Sequence, residues 1–408
     1  MAQHYKVVII GGGTAGITVA ARLLRQRKDL KGQIAIVDPA SDHYYQPLWT
    51  LVGAGASKLE STRKSMKQVL PKGVDWIKQA VQQFNPKENR IQLDNEKRVS
   101  YDYLVVCPGL QVNWSDVKGL KENIGKNGVC SNYAPQYAKE TWNQLSNFKG
   151  GNAIFTHPNT AVKCGGAPMK IMFLAEDYFR KHNMRNQANV IFETAKPAMF
   201  EVDKYKKPLE RIVEERGINV DYQHHLIAID GEQRKATFEN LQTGETKTLD
   251  YEMLHVTPPM GPLDVVKNSA LADDEGWVDI DPTTMQHKTY NNVFSLGDAS
   301  NSPTSKTGAA IRKQAPVVVN NLLQVMNQEM LTHHYDGYTS CPIVTSYNTM
   351  MLAEFDYNKK PRETMPFNQA KERRSMYILK KDILPRMYWY VKRLNVSSCE
   401  KFMSNLLY

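Results

Sequence analysis

The sequence predicts an α/β protein of two parallel-sheet units, and three observations carry the prediction. Residues 6–10 and 33–37 are apolar, β-branched runs separated by a helical pattern, as in a parallel sheet buried on both faces. A second series of strand, helix and strand runs through residues 153–156, 170–180 and 189–192. A further apolar run at 290–296 arrives after that second unit and ends in Gly297-Asp298, so the first unit is discontinuous in sequence.

Gly11-Gly12-Gly13-Thr14-Ala15-Gly16 follows the first strand, a helical pattern covers 17–27, and Asp38 ends the second strand, 27 residues beyond Gly11. This is the Gly-x-Gly-x-x-Gly fingerprint in its full setting of strand, helix, strand and acid. Gly11 and Gly13 permit a tight turn and close approach of phosphate to the backbone, and Gly16 lets the helix pack closely on the strand. Thr14 and Ala15 lie in the cofactor-binding loop before the helix, whose N-terminus attracts a pyrophosphate, while Asp38 accepts hydrogen bonds from a ribose. The first unit is therefore a Rossmann-like dinucleotide-binding domain.

Residues 42–49, aromatic and polar, read as a surface loop. Residues 74–81 and 90–93 read as short strands of an inserted meander, and 103–107 as a buried strand ending at a glycine turn, with Cys107 a small buried residue. Gly297-Asp298 is delivered by its strand to a helix starting near 306–307. Joined to the fingerprint, it reads as the return segment that holds a flavin. Gly297 lets the chain approach, and Asp298 would bond the ribityl chain or reach the pyrophosphate through water. Lys306 would set positive charge at the flavin edge that becomes anionic on reduction.

The second unit repeats the Rossmann-like pattern without a nucleotide fingerprint. Its loop after residues 153–156 reads His157-Pro158-Asn159-Thr160-Ala161-Val162-Lys163-Cys164-Gly165-Gly166. A cysteine beside two glycines and a lysine stands where a phosphate site would be, which points to sulfur redox chemistry. Residues 206–216 read as a helix, 219–222 as a strand, 226–250 as a hairpin, and 253–259 close the unit.

At 408 residues with 41% hydrophobic and 23% charged content, the chain is globular, and no run of 18 apolar residues predicts a transmembrane helix. Its five cysteines, an odd number widely spaced and without Cys-x-x-Cys, argue against a disulfide scaffold, a zinc site or an iron–sulfur cluster, so no metal is expected. Residues 371–408 hold nine Lys/Arg and three acids, a net +6 of the chain's +10. Met387, Tyr390, Val391 and Leu394 share a helical face there. After the capping-box pattern Ser397-Ser398-Cys399-Glu400, so do Cys399, Phe402, Met403 and Leu406. With Trp389 and several tyrosines, this tail suits an interfacial helix on an anionic membrane surface better than a nucleic-acid backbone.

With these segments read, the sequence resembles the flavin sulfide:quinone oxidoreductases, mitochondrial-type branch, over about residues 5–407. The resemblance rests on Val8-Ile9-Ile10-Gly11-Gly12-Gly13, Tyr45-Gln46-Pro47-Leu48-Trp49-Thr50-Leu51-Val52-Gly53-Ala54-Gly55 and Val162-Lys163-Cys164-Gly165-Gly166-Ala167-Pro168. Three further motifs are His255-Val256-Thr257-Pro258-Pro259-Met260, Pro303-Thr304-Ser305-Lys306-Thr307 and Tyr338-Thr339-Ser340-Cys341-Pro342. It implies FAD held by the first loop, Asp38, Gln46, the strand near Val81, Asp298 and Lys306. It implies a redox pair at Cys164 and Cys341, forming a disulfide or persulfide, with two electrons passing from sulfide through the flavin to a membrane quinone. A small nucleophile such as glutathione, sulfite or sulfide would take the sulfane sulfur. The expected organisation is an FAD domain at 1–115 and 260–335, a second Rossmann-like domain at 116–259, and a C-terminal quinone- and membrane-associating region at 336–408. The expected location is the cytoplasmic face of a bacterial membrane, or the mitochondrial inner membrane if a presequence is missing. The competing reading is a type II NADH:quinone oxidoreductase of the same fold, against which the 157–166 loop argues by lacking the fingerprint.

Overall fold

The computed structural model describes residues 3–394. The strand Gln3–Ile10 lies near the centre of a seven-stranded sheet. Ile34–Val37 and then Val74–Ile77 lie on one side of it; Arg98–Val106, Arg90–Leu93 and Val81–Asn85 lie on the other. Val7, Val8, Ile9, Leu104, Val105 and Val106 are fully buried, which is why these strands read as unbroken apolar runs. Arg98–Val106 changes partner along its length. Its first half runs antiparallel to Arg90–Leu93, and its second half runs parallel to Val293–Ser295. That late strand sets Gly297-Asp298 at the carboxyl edge of the sheet, facing the fingerprint loop.

The fingerprint geometry is steric. Gly11 has φ of +100°, and a Cβ there would lie 2.4 Å from the Cys107 carbonyl oxygen. A Cβ at Gly16 would lie 1.9 Å from the Gly11 carbonyl oxygen. Helix Thr14–Gln26 can therefore sit on the sheet only with glycine at both places. At Gly297 a Cβ would touch Ile311 and Ala15, so the return segment and the first helix are in contact.

The second unit holds a five-stranded parallel sheet in the order Val129–Cys130, Met253–His255, Gly151–His157, Ala188–Thr194, Asn219–Tyr222. Helix Ala167–Lys181 packs on it through Phe173 and Phe179, which are fully buried with Phe155. A hairpin, Thr339–Val344 with Met350–Phe355, follows the first unit's last helix and pairs Cys341 with Ala353. Helical segments Arg374–Ile378, Leu379–Ile383 (a π-helical stretch) and Leu384–Leu394 end the described chain.

Four expectations change. Residues 42–49 are ordered rather than a plain loop: a short strand Asp42–Tyr44 pairs with Arg63–Ser65, and helix Trp49–Gly53 buries Trp49, Leu51 and Val52. Residues 74–81 break at Ile77, because Val74–Ile77 is a parallel partner of Ile34–Val37 while Val81 opens a different strand. The 226–250 hairpin is a three-stranded antiparallel sheet. Finally, Tyr388 and Trp389 turn inward. The Tyr388 ring lies 4.4 Å from that of Tyr45, and its hydroxyl meets His43 Nε2 at 2.6 Å and Thr14 Oγ1 at 2.7 Å. Aromatic composition alone does not tell a ring on lipid from a ring on protein. The expectations for residues 395–408, Cys399 included, lie outside the described residues.

The glycines can be told apart by experiment. Gly16→Ala should lower apoprotein stability by about 1–3 kcal/mol through overpacking. Gly13→Ala should leave the apoprotein within about 1 kcal/mol of wild type, since a Cβ there meets nothing within 4 Å, yet reduce its FAD content. Thermal melts and flavin absorbance of both variants check this; equal stability of the two would refute the steric account.

Candidate active site

Cys164 sits in the loop that enters helix Ala167–Lys181, with φ of 58°. A non-glycine residue there costs about 1–3 kcal/mol and persists only when its surroundings impose it. Here they do. The Cys164 N–H donates to the Lys306 carbonyl at 3.0 Å, and the Ala167 N–H donates to the Cys164 carbonyl at 2.7 Å. Lys163 and Lys306 form a short parallel bridge, so the second unit's loop is tied to the first unit's return segment. Gly166 leaves space for the partner: a Cβ there would lie 2.5 Å from Cys341 Sγ.

Cys164 Sγ and Cys341 Sγ are 3.1 Å apart. A shift of about 1 Å closes a disulfide. Cys341 is buried, whereas Cys164 is half-buried and keeps contact with the cleft. Lys170, 4% exposed, points its Nζ at Cys164 Sγ from 3.1 Å. Lys380, also buried, approaches from the π-helical stretch and donates to the Pro47 carbonyl at 3.0 Å.

The two sulfurs divide one proton unequally. The Cys341 thiol donating to it, and then Lys170, hold Cys164 well below the ordinary thiol range against the opposing effect of burial. Donating to Cys164, together with burial, pushes Cys341 well above that range. Burial acts to discharge Lys170, but the sulfurs outweigh it and its pKa rises. Burial and the neighbouring Lys170 bring Lys380 down to about 7. With Lys170 Nζ in direct contact with Cys164 Sγ, the reduced site favours the thiolate at Cys164 over Cys341 and keeps the charge on Lys170.

A cleft runs from this pair to the fingerprint. Lys163, Asp298 and Lys306 are enclosed on most sides yet remain partly solvent-accessible, as walls of a cleft are. Lys163 Nζ donates to Gln46 Oε1 at 3.1 Å. Lys306 Nζ donates to the carbonyls of Asp298 at 2.9 Å and Ser300 at 3.0 Å and lies 3.7 Å from the Trp277 ring centre. Two of its three donors are thus engaged with the backbone, leaving one for a cofactor. Asp38 accepts from the Gly12 N–H at 2.6 Å and the Ala40 N–H at 2.7 Å, so it shapes the fingerprint loop. Val81 opens its strand shortly beyond Ile77, which binds the Asp38 N–H.

Comparison with known proteins is consistent with this arrangement. Residues 5–315 match the pyridine nucleotide-disulphide oxidoreductase family. The chain is 48% identical over 388 residues to the mitochondrial sulfide:quinone oxidoreductase of Mus musculus, covering 95% of this chain and 86% of that one. It is 50% identical over 386 residues to the protein of the same name from Dictyostelium discoideum, covering 94% and 85%. The chain belongs to the sulfide:quinone oxidoreductases. The crystal structure of the Aquifex aeolicus sulfide:quinone oxidoreductase shares the fold, with a TM-score of 0.85 at 21% identity over 100% of this chain and 96% of that one.

FAD is the cofactor of this oxidoreductase, and the residues fit it. Helix Thr14–Gln26 begins without a side-chain cap or an acid in its first turn, and Gly13 is open where a phosphate would approach. Two groups escaped the sequence reading, Lys170 and Lys380. Each lies in an ordinary helical pattern. Only the six-residue spacing from Cys164, which carries Lys170 from the loop back to the sulfur, hinted at either.

In the reduced enzyme Cys164 should alkylate well below the usual thiol pKa of about 8.5. Lys170→Met should move that profile upward by about one unit or more, since an opposite charge within contact is lost. Iodoacetamide rates against pH, read peptide by peptide, measure this. An unchanged profile would leave Cys341 as the whole cause.

Proposed function

We propose that Cys164 and Cys341 are the sulfide-oxidising pair of this sulfide:quinone oxidoreductase. The observation that carries the reading is the 3.1 Å sulfur contact beside the Lys170 ammonium. HS⁻ attacks Cys341 Sγ in the oxidised pair. The bond to Cys164 breaks, Cys164 leaves as the thiolate stabilised by Lys170, and Cys341 carries the persulfide. Cys164 is the better leaving group because its environment already favours the anion, and a low-pKa thiol leaves faster. FAD, bound by Gly11, Gly13, Thr14, Ala15, Gly16, Asp38, Gln46, Val81, Gly297, Asp298 and Lys306, supplies a two-electron acceptor between the thiols and quinone. Lys170 and Lys380 place positive charge where an anionic sulfur acceptor such as sulfite or glutathione would remove the outer sulfur.

The same reading divides the chain into an FAD domain at 1–115 and 260–335, a sulfur domain at 116–259, and a C-terminal region from 336. It docks that region on a quinone-bearing membrane, mitochondrial as the names of the relatives suggest. Ile378 and Ile383, 41% and 44% exposed, support this beside Lys381. Among the described residues no helix is long and apolar enough to cross a membrane. The NADH-oxidising alternative is disfavoured at a second point. Glu193, next to last in the strand Ala188–Thr194 where a nucleotide ribose would be met, is engaged by Lys247 at 2.9 Å.

Sulfide should bleach the flavin within seconds and NADH should not. Cys164→Ser and Cys341→Ser should each keep FAD and lose sulfide-driven quinone reduction by about three orders of magnitude or more. Anaerobic flavin absorbance and quinone assays read both; rapid bleaching by NADH, or turnover surviving in Cys164→Ser, would sink the assignment.

Because Tyr377, Lys380 and Tyr388 are built into the molecule, point changes at the exposed isoleucines test the membrane surface without disturbing the fold. Ile378→Ser with Ile383→Ser should weaken sedimentation with anionic liposomes while sparing sulfide reduction of the flavin. Wild-type liposome binding by the double variant would place docking elsewhere.

A further inference from the structure

Beside the redox pair, at the carboxyl edge of the second sheet, lies a group of buried polar side chains that the scheme above leaves unused. Tyr133 follows the strand Val129–Cys130 and Thr257 follows its parallel neighbour Met253–His255. Open α/β sheets take their ligands at this edge. Tyr133 is packed in one apolar cluster with Val162, two residues before Cys164. Its hydroxyl faces that of Thr257, and Met260 of the same cluster accepts the N–H of Lys163, the residue before Cys164, at 3.5 Å. Neither hydroxyl makes a well-formed hydrogen bond to the protein, although Tyr133 is 9% and Thr257 1% exposed.

Two neighbours share this condition. The Asn132 N–H donates to His255 Nε2 at 3.2 Å, which leaves the proton of the neutral ring on Nδ1. That Nδ1–H has no partner, nor does the Asn132 side-chain amide. Buried polar groups are normally paired, and a set of donors left open together marks a place made for an acceptor. All the donors are neutral. Burial holds the Tyr133 phenol far above its usual range and the His255 ring down at about 3, so neither exchanges its proton near neutrality. Such a site can hold a small anion by hydrogen bonds without protonating it, while Lys170 supplies the charge.

We propose that Tyr133 and Thr257 form a subsite for the sulfur that arrives as HS⁻ and remains as the outer atom of the Cys341 persulfide. This rests on the reading of Cys164 and Cys341 as the sulfide-oxidising pair. One S–S bond forms, from the incoming sulfur to Cys341. One breaks, between Cys341 and Cys164, whose electron pair stays on Cys164, and the S–H proton stays on the outer sulfur. The two hydroxyls donate to that sulfur before and after attack.

The test compares wild-type holoenzyme with Tyr133→Phe and Thr257→Val, following anaerobic flavin reduction across a sulfide concentration series. Each change removes a hydroxyl that makes no well-formed hydrogen bond and only faces the other, so both variants should keep their FAD and near-wild-type thermal stability. The sulfide concentration for half-maximal rate should rise about tenfold or more, the effect of losing one hydrogen bond to a charged group. The limiting rate should move by less than about threefold, and the Cys164 alkylation profile should not move, because the pair itself is intact. Half-saturation within about twofold of wild type in both variants would overturn the subsite, as would a fall in limiting rate alone. A wild-type flavin untouched by sulfide would instead bring down the reading of the cysteine pair, and the subsite with it.

Discussion

The 3.1 Å contact between Lys170 Nζ and Cys164 Sγ puts an ammonium in the protein interior, where it keeps its charge only beside a partner that keeps the opposite one. The thiolate is that partner in the reduced site. It exists because Cys341 donates to it and because Lys170 repays part of its desolvation. Closing the disulfide removes the negative charge and leaves Lys170 facing neutral sulfurs, with Lys380 close by. On the reading proposed above, the oxidised site therefore favours the entry of an anion, and the reduced site favours the charge separation that follows. One buried charge serves both halves of the cycle.

Much of the fold serves to hold that contact. Cys164 lies in a left-handed backbone conformation, restrained by the Lys306 carbonyl of the first unit. Cys341 comes from a hairpin 177 residues away and reaches its partner only because Gly166 has no side chain. Helix Ala167–Lys181, which carries Lys170, is braced from behind by buried acids. Asp177 accepts the Tyr347 N–H at 2.8 Å, and Glu176 sits among Arg180, Arg185 and Arg216. Arg216 in turn meets Glu372 at 2.8 Å. The chain that follows Glu372 brings Lys380 over the sulfurs and Tyr388 onto the fingerprint loop, spanning both ends of the cleft.

The C-terminal segment shows where pattern reading misleads. Tyr388 and Trp389 lie among basic residues in an amphipathic run, which is the signature of a membrane surface. In the folded chain they meet Tyr45 and His43, and among the described residues of this segment the exposed large apolar side chains are Ile378 and Ile383. Periodicity says that a face is apolar. It does not say what covers it.

By itself the sequence determined the parts whose physics is local. Gly11, Gly13 and Gly16 announce a phosphate-binding turn, Gly11 and Gly16 because a Cβ would meet backbone and Gly13 because it leaves room for a phosphate. Apolar runs announce buried parallel strands, and Cys164 in a loop without a fingerprint announces sulfur chemistry in place of a second nucleotide. That Cys341 was its partner came from family resemblance and not from spacing, since a separation of 177 positions carries no distance information. Tertiary structure alone decided which sulfur holds the negative charge. It brought Lys170 and Lys380 to the pair and left the hydroxyls of Tyr133 and Thr257 open beside it. These depend on burial, which alters a charge or a hydrogen bond far more than the identity of the residue does, and burial exists only once the chain has folded.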